Sequence, residues 1–460
     1  MAETTATTAD VTGDPERTGT AAPPRAIHAP RAATYPRQLT VLHIAQPADG
    51  GVARVVTDLV RAQRAEGLRP VVLCPPDGLG EAAEAAGATV CPWSAAREPG
   101  ARVGQESAAV ARIVREIGPD LVHLHSAKAG LAGRLALRGR LPTVYQPHAW
   151  SFEAAGGLTG AMALRWERYA ARWAHQIVCV SEDERRRGQR AGVRARWTVI
   201  RNGVDVAHYE NVAPAALPGT DSAGAGRLPA EDDPAGVLPG EGSPIEDAFD
   251  VGDVLDRFDA VPKAGLPETG APVVVCVGRL CRQKGQDVLL RAWPDVTSRV
   301  PGARLVLVGD GPDEAALRAA APEGVDFVGA VTDAAPWYSA ATLVVAPSRW
   351  EGMALVPLEA LASGRPVLMS DVSGARESLP PAHTALCLVP REDPVTLGRA
   401  IVRLLNDPVR ARELGEQGRR FARSEHDVSR GAAALSRLYR GLLSGSSPRS
   451  PLSAREFSRP

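Results

Sequence analysis

The sequence lacks a net charge, long hydrophobic runs and a leader-like N-terminus, and each absence excludes a class of protein. Its 53 Lys and Arg residues balance 53 Asp and Glu residues, so no global electrostatic preference for nucleic acid or membrane is expected. No apolar run approaches the ~20 residues of a membrane-spanning helix. Residues 1–20 are polar and contain no apolar core of a secretory signal. These absences predict a cytoplasmic protein with no nucleic-acid partner.

Cysteine is also scarce, and its placement argues against a disulfide scaffold and a cysteine-ligated metal. No CxxC motif or ligand cluster is present, so reduced thiols in or near a core are predicted. A DxD-type acidic pair at a strand end is missing too, because Asp310 and Asp371 are isolated. No metal site is therefore predicted. The six cysteines are Cys74, Cys91, Cys179, Cys276, Cys281 and Cys387.

Two long regions repeat strand-like and helix-like patterns. The 44% hydrophobic content of 460 residues suffices for two cores of ordinary domain size. Residues 38–209 and 271–426 each alternate short apolar runs with amphipathic stretches. Repeated βα units predict an α/β fold with two doubly wound, mainly parallel sheets, whose ligands bind at the carboxyl ends of the strands.

The remaining segments are predicted to be tails, a linker and one helix. Residues 1–37 and 444–460 lack periodicity and are predicted to be disordered. Residues 210–270 are rich in Pro, Gly and acidic residues and are predicted to form a flexible insertion and linker. Residues 427–443 form an amphipathic pattern, and we expect this helix to pack back across the two domains.

The stretch from Leu343 to Leu379 carries two carboxylates around a helix start. An apolar strand is followed by a turn with Glu351 and by a helix with Glu359. The start of a helix offers unpaired N–H groups and the positive end of its dipole, which suits a diphosphate. A carboxylate on the first turns is able to accept hydrogen bonds from a ribose diol. The same pattern also fits an ordinary βαβ unit with two solvated glutamates.

A second group of charges precedes this stretch. Arg279 and Lys284 lie in a loop between the strand that ends at Gly278 and the next helix. Arg presents a fork of donors and Lys a mobile point charge, so the pair suits two phosphates. Combined with Glu351 and Glu359, these cations predict a site for a diphosphate, a sugar and a ribose.

The first domain carries weaker signals. Gly50-Gly51 follows a strand and precedes a helix, where glycine permits a close approach to a phosphate or sugar, although many tight turns also use it. His148 ends a strand within the loop PHAWSF. His123 and His125 end another strand, and for them both a structural and a catalytic role stay open.

A predicted helix from Glu182 to Arg194 is strongly basic. Its arginines form either a solvated face or a basic surface for anionic lipid headgroups or a phosphorylated acceptor. Because the whole chain is neutral, we expect at most a reversible peripheral membrane contact. The arginines are Arg185, Arg186, Arg187, Arg190 and Arg194.

Taken together, the motifs resemble the retaining glycosyltransferases of family 4, which have the GT-B fold. The resemblance covers about residues 38–442 apart from the insertion, and Glu351 and Glu359 match the family's E-x7-E pattern. The motifs are Gly50-Gly51, HAWSF at His148, VIRNGVD at 199–205, VGRLCRQKG at 277–285, LVLVGDGP at 305–312 and SRWEGMALVPLEALASGRPV at 348–367.

The resemblance implies two domains that face an interdomain cleft, with a nucleoside diphosphate-sugar held by the C-terminal domain. It implies that Arg279 and Lys284 neutralise the leaving diphosphate. Glu351 contacts the donor sugar and Glu359 the ribose. Backbone N–H groups of the helix start bind phosphate and sugar hydroxyls, and they belong to Gly352, Met353, Ala354 and Leu355.

For the N-terminal domain, the resemblance implies that His148 contacts a sugar hydroxyl near the anomeric centre. Gly50 and Gly51 close over the diphosphate, and the domain presents a glycan, lipid-linked or small-molecule acceptor. The implied function is metal-independent retaining hexosyl transfer in cell-envelope or exopolysaccharide synthesis, with no cofactor. A nucleotide-sugar 2-epimerase of the same fold and a non-catalytic glycan- or nucleotide-binding scaffold stay open as alternatives.

Overall fold

The structure is a computed structural model, and it describes the central part of the chain. The predicted tail 1–37, residues 446–460 and nearly all of the predicted insertion 210–270 lie outside the described residues. The described ranges are 38–46, 50–76, 78–96, 100–154, 157–210, 212–215 and 271–445.

Within the described residues, the first half forms a seven-stranded parallel sheet. The strands are β1 (Thr40–Ala45), β2 (Arg69–Cys74), β3 (Thr89–Pro92), β4 (Leu121–His125), β5 (Thr143–Gln146), β6 (Gln176–Cys179) and β7 (Trp197–Val199). Their order is β3-β2-β1-β4-β5-β6-β7. Most strands are buried along their whole length because helices cover both faces of the sheet. The short edge strand β3 was not predicted, since it is only partly buried and carries little apolar signal.

The helices of the first half mostly follow the predicted βα alternation. Its helices are α1 (Gly50–Ala65), α2 (Leu79–Ala85), α3 (Val103–Ile117), α4 (Ser126–Leu137), α5 (Ser151–Ala154), α6 (Gly157–Ala170), α7 (Glu182–Arg190) and α8 (Val206–Tyr209). The sequence places the start of α1 at Ala53, but the helix begins at Gly50. The predicted end of α7 at Arg194 is wrong, because the chain leaves the helix before Gly192, whose φ is 76°.

The second half forms a six-stranded parallel sheet, in the order β10-β9-β8-β11-β12-β13. The strands are β8 (Val273–Val277), β9 (Arg304–Val308), β10 (Val325–Gly329), β11 (Leu343–Ala346), β12 (Val367–Ser370) and β13 (Leu388–Val389). The helices are α9 (Gln286–Arg299), α10 (Glu314–Ala320), α11 (Ala335–Ala340), α12 (Leu355–Ala362), α13 (Thr384–Cys387), α14 (Pro394–Leu405), α15 (Pro408–Glu425) and α16 (Val428–Leu443). The α/β fold class with two doubly wound parallel sheets is confirmed.

Both sheets reverse their strand order at one point. In the first sheet β1 lies between β2 and β4, and in the second β8 lies between β9 and β11. The loops after the two central strands diverge there, which leaves a crevice for ligands at the carboxyl ends. The predicted site residues follow these strands: Gly50 comes after β1, Arg279 and Lys284 after β8, and Glu351 after β11.

The last helix, α16, packs on the first half of the chain. Leu435 and Tyr439 lie in a buried cluster with Val41 and Leu59. The approach to this helix is fixed by a bridge between Val204 and Asp427. No described helix combines the length and the apolar character required to cross a membrane.

Candidate functional site

An ion pair joins the two charged loops of the second half. Lys284 Nζ lies 2.5 Å from Glu351 Oε1, and the Ser348 hydroxyl donates to the same oxygen at 2.9 Å. Burial on its own lowers the pKa of Lys284, but the Glu351 carboxylate outweighs it and the net pKa is raised. Lys284 is therefore a permanent cation. Glu351 is only 9% exposed, so the alternative of a solvated glutamate is wrong.

Gly285 is the residue that lets these loops meet. Its φ of 68° is left-handed, and a Cβ there would lie 2.1 Å from the carbonyl oxygen of Pro347. Only glycine tolerates both conditions without displacement. The loop after β8 therefore lies directly against the loop after β11. Gln283 Nε2 adds a hydrogen bond of 3.0 Å to the carbonyl of Trp350.

Arg279 is a half-buried cation in the same loop. Its guanidinium has no carboxylate partner among the described residues, whereas its carbonyl accepts a hydrogen bond of 3.0 Å from Gln286 Nε2. The backbone is thus fixed while the side chain keeps all its donors. This state fits the prediction of a phosphate ligand, since a guanidinium recognises phosphate through two parallel hydrogen bonds.

The start of α12 meets the first half of the chain at Gly352. A Cβ at this position would lie 2.3 Å from the carbonyl oxygen of His148, so only glycine fits. Ala354 provides no side-chain cap for α12, and Met353, Ala354 and Leu355 are buried. The structure thus brings His148 beside the helix start that was predicted to bind the donor.

Two side chains of the first half hold this loop, and both were missed from the sequence. Ser181 Oγ donates to the carbonyl of Gly352 at 2.9 Å. Asn202 Nδ2 donates to the carbonyl of Met353 at 2.8 Å. Asn202 belongs to the motif VIRNGVD after β7, so the motif is visible in the sequence although its partner is not. These two bonds fix the carbonyl groups of the loop at Gly352 and Met353.

Gly50 and Gly51 open α1 beside the same helix. Gly50 has a φ of 68°, and a Cβ at Gly51 would lie 3.8 Å from Leu355 Cδ1. The glycine turn therefore faces the start of α12, as expected for residues that close over a ligand there. That role stays a prediction.

Glu359 lies in a network that links the two halves. Tyr338 donates its hydroxyl to Glu359 Oε2 at 2.6 Å, and Arg54 of α1 donates to the Tyr209 hydroxyl at 2.6 Å. Burial raises the pKa of Tyr209 far above its usual value, and the Glu359 carboxylate adds to the effect. Both tyrosines are therefore neutral donors. The ribose role of Glu359 stays a prediction, and the residues around it were not foreseen.

His148 is connected to other histidines rather than to a carboxylate. Its Nε2 lies 3.3 Å from Nδ1 of His125, and His125 Nε2 lies 3.0 Å from Nδ1 of His43. Burial lowers the pKa of His148 to about 3 and that of His43 to about 4. These rings are neutral at physiological pH. The only group of described residues able to hold a metal ion comprises His43, His123 and His125.

The arginine helix α7 is largely neutralised by its own carboxylates. Arg185 and Arg186 pair with Glu182, and Arg187 pairs with Asp183 and Glu153. Arg194 lies beyond the end of the helix. The predicted basic surface is therefore reduced to Arg190 and Arg194. The six cysteines are free thiols, and four of them are buried.

Family patterns match both halves of the chain. "Glycosyltransferase Family 4" matches residues 49–208, and "Glycosyl transferases group 1" matches residues 271–407. The two sheets and the charged loops between them are those of a GT-B fold protein. The chain belongs to the group 1, family 4 glycosyltransferases, and the predicted resemblance is confirmed.

Individual relatives are similar over part of their length. The lipopolysaccharide core biosynthesis mannosyltransferase LpcC of Rhizobium leguminosarum bv. viciae is 35% identical over 40% of this chain and 54% of its own. A GDP-mannose-dependent alpha-(1-6)-phosphatidylinositol monomannoside mannosyltransferase of Mycobacterium tuberculosis is 37% identical over 37% of this chain and 48% of its own. The chain thus spans about half the length of these relatives.

Solved structures agree on the architecture. Anabaena HepE in complex with UDP and glucose has a TM-score of 0.66 at 21% identity. The similarity covers 87% of this chain and 99% of that one. At this identity the similarity establishes the fold.

Proposed function

We propose that this protein is a retaining glycosyltransferase that moves a hexose from a nucleoside diphosphate-sugar to a glycan, lipid-linked or small-molecule acceptor. The observation that carries the proposal is the contact at Gly352. There the Lys284–Glu351 pair and the start of α12 approach from one half of the chain, and His148 approaches from the other. A cation and a polar ring that approach one helix start from the two halves of the chain suit the diphosphate and the sugar of a sugar nucleotide.

Relatives supply the first donor to be tested. Two of them are named as mannosyltransferases, and one name specifies GDP-mannose and a phosphatidylinositol mannoside. We therefore infer mannose as the sugar, GDP-mannose as the donor and a lipid-linked acceptor of the cell envelope. The site supports the wider class of nucleotide-sugar donors, since cations such as Arg279 and Lys284 suit a diphosphate whatever the base.

The chemistry follows from where charge develops. As the bond from the sugar to the phosphate breaks, negative charge grows on the diphosphate, and Arg279, Lys284 and the start of α12 stabilise it. These groups supply the positive charge that a metal supplies elsewhere, so we expect activity in the presence of a chelator. The acceptor attacks the same face, and its proton passes to the leaving phosphate oxygen. Mass spectrometric detection of a glycosyl-Glu351 adduct would contradict this route.

A reversible membrane contact is proposed for one surface of the first half. Leu158 and Met162 on α6 are 85% and 64% exposed. This helix joins α7 through a hydrogen bond of 2.6 Å from Arg168 Nε to the carbonyl of Ala191. Exposed apolar side chains beside arginines suit an anionic lipid interface. A cytoplasmic location, with this surface at the inner face of the membrane, is part of the same proposal.

A donor screen tests the function directly. The protein is incubated with GDP-mannose and with UDP-, ADP- and GDP-linked hexoses, with and without a lipid-linked glycan acceptor. We expect acceptor-dependent release of nucleotide and a product of retained anomeric configuration. Conversion of the donor sugar without an acceptor would instead identify a 2-epimerase, and binding without any turnover would identify a scaffold.

A further inference from the structure

Three histidines occupy one face of the first sheet at its switch point. His43 of β1 pairs in register with His123 of β4, and His125 follows two residues later on the same face. None of the three is exposed to solvent. Beyond His125 lies His148, after β5, so a line of rings runs from the middle of the sheet to the contact at Gly352.

Hydrogen bonds join these rings into a chain that starts on α1. Gln63 Oε1 lies 2.9 Å from His43 Nε2, and His43 Nδ1 lies 3.0 Å from His125 Nε2. His125 Nδ1 lies 3.3 Å from His148 Nε2. Burial holds the pKa of His43, His125 and His148 below the usual histidine value. Each ring is therefore neutral, with one donor nitrogen and one acceptor nitrogen.

The side-chain oxygen of Gln63 decides which nitrogen donates and which accepts in each hydrogen bond from His43 to His148. An amide oxygen cannot donate, so His43 carries its proton on Nε2 and accepts on Nδ1. His125 then donates from Nε2 and accepts on Nδ1. The same rule makes His148 donate from Nε2, which leaves its Nδ1 without a proton. This nitrogen has no hydrogen-bond partner among the described residues.

We propose that Gln63, His43 and His125 are positioning residues that hold His148 in its Nε2–H tautomer. In that form, Nδ1 offers a lone pair to a hydroxyl group of the bound sugar. The proposal rests on the proposed transferase function for the identity of that hydroxyl, but the tautomer itself is a property of the free protein. The ring acts as a hydrogen-bond acceptor and not as a cation.

The backbone of His148 supports a positioning role. Its φ of 61° lies in the left-handed region, which is unfavourable for a side chain with a Cβ. Such a conformation persists only where the surroundings enforce it, and it is concentrated at ligand-binding sites. Here the hydrogen bond to His125 and the contact of the His148 carbonyl with Gly352 fix the residue from both sides.

A metal ion is the competing explanation for the histidine cluster. Nitrogens of His43, His123 and His125 all lie within 4.8 Å of one another, and bound metal requires their lone pairs to point at a common centre. Instead, His43 and His125 point at each other, and His123 Nδ1 lies 2.6 Å from the Tyr439 hydroxyl. A metal on His125 Nε2 would also move its proton to Nδ1 and reverse the tautomer of His148.

Nitrogen NMR of ¹⁵N-histidine-labelled, ligand-free protein tests the chain without reference to any reaction. The His148 signals are assigned by their loss in His148→Gln. We expect a protonated Nε2 and an unprotonated Nδ1, and elemental analysis without stoichiometric metal. A protonated Nδ1 on His148, or one bound metal ion per chain, would overturn the proposal.

Substitution of the buried Gln63 sharpens the test. Gln63→Leu has a similar size and no acceptor. We expect it to mix the tautomers and to lower kcat about two- to tenfold, the value of one net hydrogen bond, with unchanged affinity for the nucleoside diphosphate.

Gln176→Leu is the matched control, because Gln176 is also buried and its side-chain amide donates to Thr198 Oγ1 at 2.7 Å rather than to a histidine. It should leave the His148 tautomer unchanged. Equal loss of kcat in Gln63→Leu and Gln176→Leu would assign the effect to packing and overturn the proposal. If the His148 tautomer is as expected but no donor is turned over, the proposed transferase function is wrong. The positioning of His148 by the hydrogen-bond chain is then still supported.

Discussion

The two halves of the site use opposite electrostatics. After β8 and β11, the second half pairs the permanent cation Lys284 with the carboxylate of Glu351. The loop after β8 also carries Arg279, whose guanidinium has no carboxylate partner in the part of the chain that the structure describes. Around β1 and β4, the first half places neutral imidazoles that are hydrogen-bonded to one another. Under the proposed function, charge is concentrated where a diphosphate would be stabilised. Directed neutral hydrogen bonds would then serve the sugar, whose hydroxyl groups do not change charge.

The largest effect is expected from removal of Lys284, the cation at the centre of the charged half of the site. In Lys284→Ala, the leaving diphosphate loses a fixed positive charge, and kcat should fall about 100-fold, as for loss of one preorganised electrostatic group. Arg282→Ala is the control, since Arg282 is an exposed cation of the same loop. Steady-state kinetics with the identified donor measure the effect. A normal kcat with a raised acceptor KM would contradict the diphosphate role.

Glu359 tests whether the charged half extends to the ribose. Glu359→Gln keeps the acceptor for Tyr338 but removes the negative charge that strengthens hydrogen bonds to a diol. We expect the donor Kd to rise about 10- to 100-fold, the value of a charge-assisted bond. Tyr338→Phe should have a smaller effect, because its bond is internal. Unchanged donor affinity of Glu359→Gln in calorimetry would count decisively against the ribose role.

The neutral half should show itself in the dependence of stability on pH. The folded pKa of His43 is lowered to about 4, below the unfolded value of about 6.5. Between these values the unfolded chain binds more protons, so the free energy of unfolding falls as pH falls from about 6.5 to about 4. For His43 alone the loss at pH 5 is about 2 kcal/mol.

His43→Asn removes this titration. Urea unfolding at pH 7.5 and pH 5 should therefore show a loss in the variant about 2 kcal/mol smaller than in the wild-type protein. Equal losses in the two proteins would show that His43 is protonated as readily in the folded state as in the unfolded state, and the neutral half would not exist as described.

The smallest effect concerns the arginines that lie outside both halves of the site. Arg190→Gln and Arg194→Gln should each weaken binding to phosphatidylserine vesicles about fivefold, since a charge near the surface contributes about 1 kcal/mol. Arg186→Gln changes the net charge equally, but Arg186 is already paired with Glu182. Vesicle sedimentation at low salt compares the three. An equal loss of vesicle binding in Arg186→Gln would show that the membrane contact depends on net charge and not on Arg190 and Arg194 in particular.

The charged half could be predicted from the sequence, whereas most of the neutral half could not. Arg279, Lys284 and Glu351 directly follow apolar runs, and parallel topology places such positions at one edge of the sheet. The Lys284–Glu351 bond itself depends on Gly285, whose close approach to Pro347 is a tertiary contact. Sheet alternation and apolar runs were enough for the fold, except at the edge strands β3 and β13, which were not predicted.

The hydrogen-bond chain from Gln63 to His148 could not be predicted from the sequence, because its members come from four separate segments. Strand register decides that His43 lies beside His123 and that His125 reaches His148, and no spacing in the sequence specifies register between strands distant along the chain. The tyrosines around Glu359 were missed for the same reason. Tyr209 and Tyr338 have no local motif, and only packing brings them to the carboxylate.

Calorimetric titration of GDP and GDP-mannose into Lys284→Ala and His148→Ala tests the central claim most directly. If charge serves the diphosphate and the neutral ring serves the sugar, Lys284→Ala weakens the binding of both ligands by a similar factor. His148→Ala then weakens GDP-mannose and leaves GDP unchanged. A His148→Ala variant that loses affinity for GDP, or a Lys284→Ala variant that loses affinity for GDP-mannose alone, would contradict the division of the site.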